Sequence, residues 1–113
     1  MKPDDRIRIQ HMIDAGEEAL SFTSNVTKEN FSKNRMLILS VIKDIEIIGE
    51  AATKISEETK LNYAHIPWKD IVGMRNRLIH GYFDVNIELI WNTIKNNLLP
   101  LIKSLKEILP ANK

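Results

Sequence analysis

The segment LILSVIKDIEIIGEAATKI, residues 37–55, decides the fold, because apolar residues recur along it at helical spacing. A first apolar row follows the helical period. It contains Leu37, Val41, Ile45, Ile48, Ala52 and Ile55, and Ile38 and Ile42 lie beside it. We expect one long helix over residues 34–58. Its apolar surface is wider than one partner helix needs, so we expect part of it to contact a second subunit.

The flanking sequence predicts further helices. The first covers residues 4–22, with Asp4 or Asp5 as its cap. Its apolar face comprises Ile9, Ile13, Gly16 and Leu20. Residues 24–33 are predicted to be a loop or a short helix. A third helix covers residues 67–81, from Pro67, which is favoured in a first turn, to Gly81, which can cap a helix end.

The last helix is expected to start near Asp84 or Asn86 and to be kinked or interrupted by Pro100. Its inward side comprises Trp91, Ile94, Leu98, Leu101, Ile102 and Leu105. No alternating pattern predicts a strand, and no repeat or linker divides the 113 residues. The sequence therefore predicts an all-α antiparallel bundle of four main helices, as one domain over residues 1–113.

Composition limits the possible functions. The chain has no cysteine and no long apolar run, and its amino terminus does not resemble a signal peptide, so we expect a cytoplasmic protein without membrane contact. A net charge of +1 does not indicate a broad electrostatic grip on nucleic acid. Any RNA must be held locally, and a cleft could gather basic residues for this, although the lysines are better explained as solvated charges. The basic candidates are Lys43, Lys54, Lys69, Arg75 and Arg77.

The segment MRNRLIHGYF, residues 74–83, carries the candidate chemistry. A helical wheel places Arg75 near the middle of an apolar stripe, and a charge buried there costs several kcal/mol unless it is paired or faces a solvated cleft. The stripe comprises Trp68, Ile71, Val72, Leu78 and Ile79. Arg77 points to the opposite side. Asn76 and His80 are four residues apart and share a flank, and His80 is expected in the last helical turn, where the dipole favours imidazolium. Tyr82 follows and is able to reach the same place.

Gly49 lies inside the long helix, where glycine costs about 1 kcal/mol relative to alanine, so it marks a close helix crossing or room for a ligand. The acidic residues near it are Asp44, Glu46 and Glu50. Glu46 and Glu50 are one turn apart, and we expect one of them to orient Arg75 from the adjacent helix, unless both face solvent.

Other chemistry has little support. His11 and His65 are far from His80 in the sequence and are interpreted as surface or packing residues. The spacing of these histidines fits no zinc motif, and neither glycine-rich phosphate loop is present. The sequence therefore indicates no metal and no cofactor.

Two phrases carry a family resemblance that spans essentially the whole chain. DIEIIGEAA, residues 44–52, and IPWKDIVGMRNRLIHGYFDV, residues 66–85, resemble the HEPN-domain toxins of the HepT type. These are small helical ribonucleases encoded beside a minimal nucleotidyltransferase antitoxin, MntA, in type VII toxin–antitoxin systems. Their signature, Arg-x4-His-x-Tyr, matches Arg75, His80 and Tyr82, with Asn76 as the usual polar residue. At position 86 this chain has Asn86, where members of the family often have an acidic residue.

The resemblance implies a homodimeric, metal-independent endoribonuclease. His80 would act as base or acid, Arg75 would hold the phosphate, and Asn76, Tyr82 and Glu50 would support them. A dimer would bring two copies of His80 into one cleft, which supplies both the acid and the base. The resemblance also implies that the cognate MntA-like nucleotidyltransferase inhibits the toxin by transferring AMP to Tyr82.

Two alternatives remain open from the residues. The bundle is in one case a non-catalytic partner of a nucleotidyltransferase, in which Arg75, Asn76 and His80 hold a nucleotide or RNA without cleaving it. In the other it is a structural dimer, in which Arg75 forms an ion pair with an acidic residue, His80 is a helix-end histidine and Tyr82 is a partly buried aromatic residue.

Overall fold

The computed structural model describes residues 1–80 and 84–109. This part of the chain is almost entirely helical, which confirms the expected class. Its helices are α1 (Pro3–Phe22), α2 (Lys28–Lys33), α3 (Arg35–Thr53), α4 (Glu57–Asn62), α5 (Trp68–Leu78), α6 (Ile87–Asn96) and α7 (Leu98–Ile108). A two-residue antiparallel pair joins β1 (Ile79–His80) to β2 (Asp84–Val85). Among the described helices, none has the length and apolar character needed to cross a bilayer.

Helix α3 is the centre of the bundle. It packs against α1 on one side and α5 on another, and α7 packs against α1. The rows predicted for residues 37–55 supply much of the core: Val41, Ile45 and Ile48 are fully buried. Ile38 and Ile42 are also buried within this one chain. The apolar surface that the sequence assigned to a second subunit is therefore largely used inside the protomer.

The prediction of a single helix over residues 34–58 is wrong at its C-terminal end. Asn34 caps α3 by accepting a hydrogen bond from the Leu37 N–H, but the helix stops at Thr53 and a new helix, α4, begins at Glu57. Ser56 caps α4, and its hydroxyl accepts a hydrogen bond from the Thr59 N–H. A hydroxyl that bonds to nearby backbone competes with helix continuation, which explains the break.

Asp5 was expected as a possible helix cap, and this is also wrong. The cap position of α1 is Lys2, without a side-chain hydrogen bond. Asp5 is buried and accepts hydrogen bonds from the Ser56 N–H at 3.1 Å, the Ser56 hydroxyl at 2.6 Å and the Thr59 hydroxyl at 2.7 Å. Burial raises the pKa of Asp5, but these hydrogen bonds outweigh it and hold the pKa below its ordinary value. Asp5 thus ties the start of α1 to the start of α4.

The end of the third helix differs from the prediction. Helix α5 ends at Leu78 rather than near Gly81, and His80 lies in β1, with its backbone paired to Asp84. The Asn86 N–H donates a hydrogen bond to the Leu78 carbonyl at 2.8 Å. In a longer helix α5, this carbonyl would instead accept a hydrogen bond from within the helix. Gly81 and Tyr82 lie outside the described residues.

The last predicted helix is present as two. Asn86 caps α6, because its side chain accepts a hydrogen bond from the Leu89 N–H at 3.0 Å. It is one of the two residues at which the helix was expected to start. The helix is interrupted at Asn97, and Pro100 occupies the first turn of α7, where a missing N–H is tolerated. The interruption near Pro100 is therefore confirmed.

Candidate functional site

A groove with a volume of about 870 Å³ runs along α3. Because α3 packs against both α1 and α5, it forms the floor, and the other two helices form the walls. We call this the α3 groove. Its polar lining comprises Asp4, Arg8 and His11 from α1, Lys43, Glu46, Glu50, Thr53 and Lys54 from α3 and its end, and Arg75 and Asn76 from α5.

Gly49 on α3 faces the backbone of α5. A Cβ atom built on Gly49 would lie 3.6 Å from the Ile71 carbonyl oxygen and 3.8 Å from that of Val72, which is van der Waals contact. A methyl group would therefore fit at this crossing, which does not require glycine, and Gly49 also lines the groove, the other place expected for it. The crossing brings the second half of α5 beside the middle of α3.

Arg75 lies at the edge of the groove, on the flank of the buried face of α5. That face consists of Trp68, Ile71, Met74 and Leu78. The expectation of an arginine in the middle of a buried stripe is wrong, because Met74 occupies the buried position beside it. Arg75 is 45% exposed, and its Nε lies 3.3 Å from Oε2 of Glu46. Arg75 is therefore not a buried charge.

The two acidic candidates have different partners. Glu46 contacts Arg75, whereas Oε2 of Glu50 lies 3.6 Å from Nζ of Lys54, one turn along the same helix. Both glutamates line the groove, as does Asn76. The structure thus brings Arg75, Asn76, Glu46 and Glu50 to one place, with Glu46 as the residue that contacts the arginine.

Only some of the basic candidates meet in this groove. Lys43, Lys54 and Arg75 line it, but Lys69 and Arg77 are not among its lining residues. Arg77 is exposed, as the helical wheel predicts, and its Nη2 donates to the Asp70 carbonyl at 3.0 Å. It lines a smaller cavity of about 370 Å³ between α5 and α7. Arg77 is therefore a suitable control for Arg75.

Sequence reasoning missed His11 and Arg8. His11 is exposed, as expected, but it lines the groove together with Arg8 on the α1 wall. A signal was present in the sequence: Asp4, Ile7, Arg8 and His11 have the spacing of one helix face. Their relation to α3 was not visible without the fold.

The signature is only partly described. Arg75 and Asn76 have defined positions in the groove. His80 lies two residues beyond the end of α5, in β1, so the expected place in a last helical turn is wrong, and the helix dipole does not apply to it as argued. Tyr82 lies outside the described residues. Among the described side chains, no group of three or more possible ligands could hold a metal ion.

Asp44, the third acidic residue near Gly49, belongs to the core rather than to the groove. It is 1% exposed, and its Oδ2 has no hydrogen-bond partner among the described residues. Burial, together with the neighbouring carboxyl of Glu18 on α1, raises the pKa of Asp44 to about 7. This carboxyl bears on stability and takes no part in the groove.

Comparisons with known proteins identify relatives of this chain. The family described as "Ribonuclease HepT-like" matches residues 12–108. A protein of Caldanaerobacter subterraneus named as a putative RNase is 36% identical over 105 residues, which cover 93% of this chain and 94% of that protein. One of Methanocaldococcus jannaschii, also named as a putative RNase, is 34% identical over 107 residues, or 95% and 97% of the two chains.

A protein of Thermococcus cleftensis named as a probable ribonuclease HepT is 33% identical over 103 residues, or 91% of this chain and 93% of that protein. Comparison with solved structures yields no significant match. The family match covers most of the chain, and the relatives match over nearly their whole length. The chain therefore belongs to the HepT-like ribonuclease family, of the HEPN type.

Proposed function

We propose that the protein is a metal-independent endoribonuclease that cuts RNA at the α3 groove. The observation that carries this proposal is the position of Arg75. Among the described residues its ion pair with Glu46 uses Nε, which leaves the Nη groups as donors toward the groove. A guanidinium held in this way presents a planar fork that suits a phosphate. The names of the relatives support the same class of reaction.

RNA supplies its own nucleophile. His80 acts as the base and removes the proton from a 2′-hydroxyl, whose oxygen then forms a bond to the adjacent phosphorus. Arg75 stabilises the charge that develops on the phosphoryl oxygens, and Asn76 orients the phosphate. The bond from phosphorus to the 5′-oxygen breaks, and an imidazolium returns a proton to this oxygen. The products are a 2′,3′-cyclic phosphate and a 5′-hydroxyl.

A homodimer supplies the second histidine that this reaction needs. The signature contains one histidine per chain, and two copies facing each other would provide a base and an acid in one cleft. Exposed apolar residues support this: Met36 is 81% exposed and Leu39 48%, on the same face of α3 as Lys43 at the groove floor. An apolar patch that continues into a polar groove is typical of a subunit interface beside a wet cleft.

Inhibition by a partner enzyme completes the proposal. The protein acts as a toxin whose cognate MntA-like nucleotidyltransferase transfers AMP from ATP to Tyr82. The phenolic oxygen attacks the α-phosphorus of ATP, pyrophosphate leaves, and the phenolic proton goes to solvent. The added phosphodiester is an anion that pairs with Arg75 and His80, and its bulk occupies the place of the RNA phosphate.

The test is incubation of the purified protein with RNA in EDTA, followed by identification of the new ends. We expect cleavage that leaves 2′,3′-cyclic phosphates. A requirement for a divalent ion would contradict the mechanism. Binding of RNA without any cleavage would favour the other function considered, a non-catalytic module that binds RNA or a nucleotide beside a nucleotidyltransferase.

A further inference from the structure

The α1 wall of the groove has no part in the chemistry proposed above. Arg8 and His11 lie one helical turn apart on this wall, across α3 from Arg75 and Asn76. We propose that Arg8 and His11 form a subsite for a nucleotide a few positions along the strand from the one whose phosphate Arg75 holds. This proposal rests on the proposed ribonuclease function and names its substrate class, which is single-stranded RNA.

Arg8 is held in place for such contacts. Its Nη1 donates to the Lys54 carbonyl at 3.2 Å, at the end of α3, and its side chain is half-buried. A guanidinium has five N–H donors, and this hydrogen bond uses one of them. The remaining donors are available for a phosphate in the groove. The contact with α3 also reduces the rotamer freedom that Arg8 loses when RNA binds.

His11 and Ile7 supply the contact with a base. His11 is exposed, and Ile7, one turn earlier, is 55% exposed, and both line the groove. Unpaired RNA bases stack on aromatic rings, including that of histidine. Proteins that recognise RNA sequences use such contacts, because bases inside a duplex are not accessible to their side chains. A ring beside an apolar side chain therefore suits an unstacked base, as found in single-stranded RNA.

The distance across the groove fits more than one nucleotide. Packed helix axes lie about 8–10 Å apart, so the axes of α1 and α5 on the two sides of α3 are up to roughly 20 Å apart. A stacked strand advances about 3.4 Å per nucleotide. At this advance a separation of that size spans several nucleotides, so Arg8 and His11 contact a nucleotide a few positions along the strand from the one at Arg75.

The charges of the groove are compatible with an RNA strand. Glu46 and Glu50 are offset by Arg75 and Lys54, with which they form ion pairs. Lys43 on the floor and Arg8 on the α1 wall are the other two cations of the lining, and Asp4 on the α1 wall is its third carboxylate. The lining thus has four cationic side chains against three carboxylates, so its balance is slightly positive, like the net charge of +1 of the whole chain.

The test measures binding of an unpaired 2′-O-methyl oligonucleotide, which lacks the free hydroxyl and is not cut. We expect Arg8→Gln and His11→Ala each to raise its Kd about tenfold, the range expected for the loss of one stacked base or phosphate contact. Arg6→Gln and His65→Ala are matched controls, since neither residue lines the groove, and both should bind as the unaltered protein does. Melting temperatures verify that each variant folds.

A second substrate separates a subsite from a structural effect. A dinucleotide with one phosphate does not reach the α1 wall, so Arg8→Gln and His11→Ala should cut it at the normal rate but show a raised KM for a longer RNA. Equal losses on both substrates would overturn the subsite. A change in dimer mass in these variants would also overturn it, because the α1 wall would then contact a second copy.

The two proposals fail separately. If the unaltered protein cuts no RNA but Arg8→Gln and His11→Ala weaken binding, the subsite stands and the ribonuclease mechanism is wrong. If the protein cuts RNA and both variants bind the oligonucleotide as tightly as the controls, the mechanism stands and the subsite is wrong.

Discussion

Arg75 on α5 and Glu46 on α3 form an ion pair in which Nε lies 3.3 Å from Oε2, at the edge between one wall and the floor of the α3 groove. Both side chains are more than one-third exposed, so the pair contributes less than about 1 kcal/mol to stability. Its main effect is to restrict the direction of the guanidinium. We therefore expect Glu46 to matter for activity more than for folding.

The first prediction concerns this pair. Glu46→Gln should slow RNA cleavage about two- to fivefold, the equivalent of an exposed ion pair, and leave the melting temperature nearly unchanged. Single-turnover cleavage measures the effect. Glu50→Gln is the matched control, because Glu50 contacts Lys54 and not Arg75. A larger loss in Glu50→Gln than in Glu46→Gln would show that the wrong glutamate was assigned.

The second prediction concerns the dimer. Light scattering should give a mass of twice 13.0 kDa at micromolar concentration. Exchange of the exposed pair Met36 and Leu39 for glutamate should shift the protein to monomers and reduce cleavage, because the interface and the second His80 are both lost. Leu61→Glu with Leu99→Glu is the control, since these side chains are 74% and 63% exposed on other helices. A monomeric unaltered protein that cuts RNA would refute the shared site.

The third prediction concerns pH. The pKa of Asp44 is about 7 in the folded chain, above its ordinary value, so the folded state holds a proton that the unfolded chain releases. Stability therefore falls as pH rises from about 4 to 7 and stays reduced above that. Asp44→Asn should raise the melting temperature by several degrees at about pH 8 and have much less effect at about pH 3, which lies below both pKa values, so that both states are mostly protonated.

Thermal unfolding at several pH values verifies this prediction. Asp5 affects the pH dependence of stability in the opposite direction, because its pKa is lowered in the folded chain. Its contribution to stability is therefore lost as pH falls below the ordinary pKa of an aspartate. A pH dependence that is unchanged in Asp44→Asn would show that this carboxyl is ionised at little cost.

The fourth prediction concerns Tyr82. Co-expression with an adjacent nucleotidyltransferase gene should add the mass of one or more AMP units and abolish cleavage. Tyr82→Phe should remain unmodified, because it lacks the phenolic oxygen, whereas Tyr63→Phe should be modified normally. Intact mass spectrometry measures both. A mass gain that persists in Tyr82→Phe, or a modified protein that still cuts RNA, would refute inhibition by modification.

Much of the fold was predictable because it depends on apolar periodicity. The rows through Val41, Ile45 and Ile48 predicted the central helix, and its observed start at Arg35 lies one residue from the predicted start at residue 34. The break after Thr53 was not predictable from apolar periodicity, because it depends on the polar contacts of Ser56, one of which joins it to Asp5, 51 residues away in the sequence.

The site was predictable only in part. The signature identified Arg75 and Asn76 from local sequence, and both line the groove. The end of α5 was misplaced, because the backbone pairing of His80 with Asp84 is a contact between segments that helical periodicity does not encode. Arg8 and His11 were missed because their place beside α5 depends on how α1 and α5 both pack on α3.

The central claim is that Arg75 in the α3 groove serves RNA cleavage. The most direct measurement is single-turnover cleavage of one RNA in EDTA by Arg75→Ala and by Arg77→Ala, two residues apart on the same helix. Arg75→Ala should lose about 10²- to 10³-fold in rate, as when one group that stabilises developing charge is removed. Arg77→Ala should retain nearly full activity, because its side chain lies outside the groove. Equal rates for the two folded variants would contradict the account.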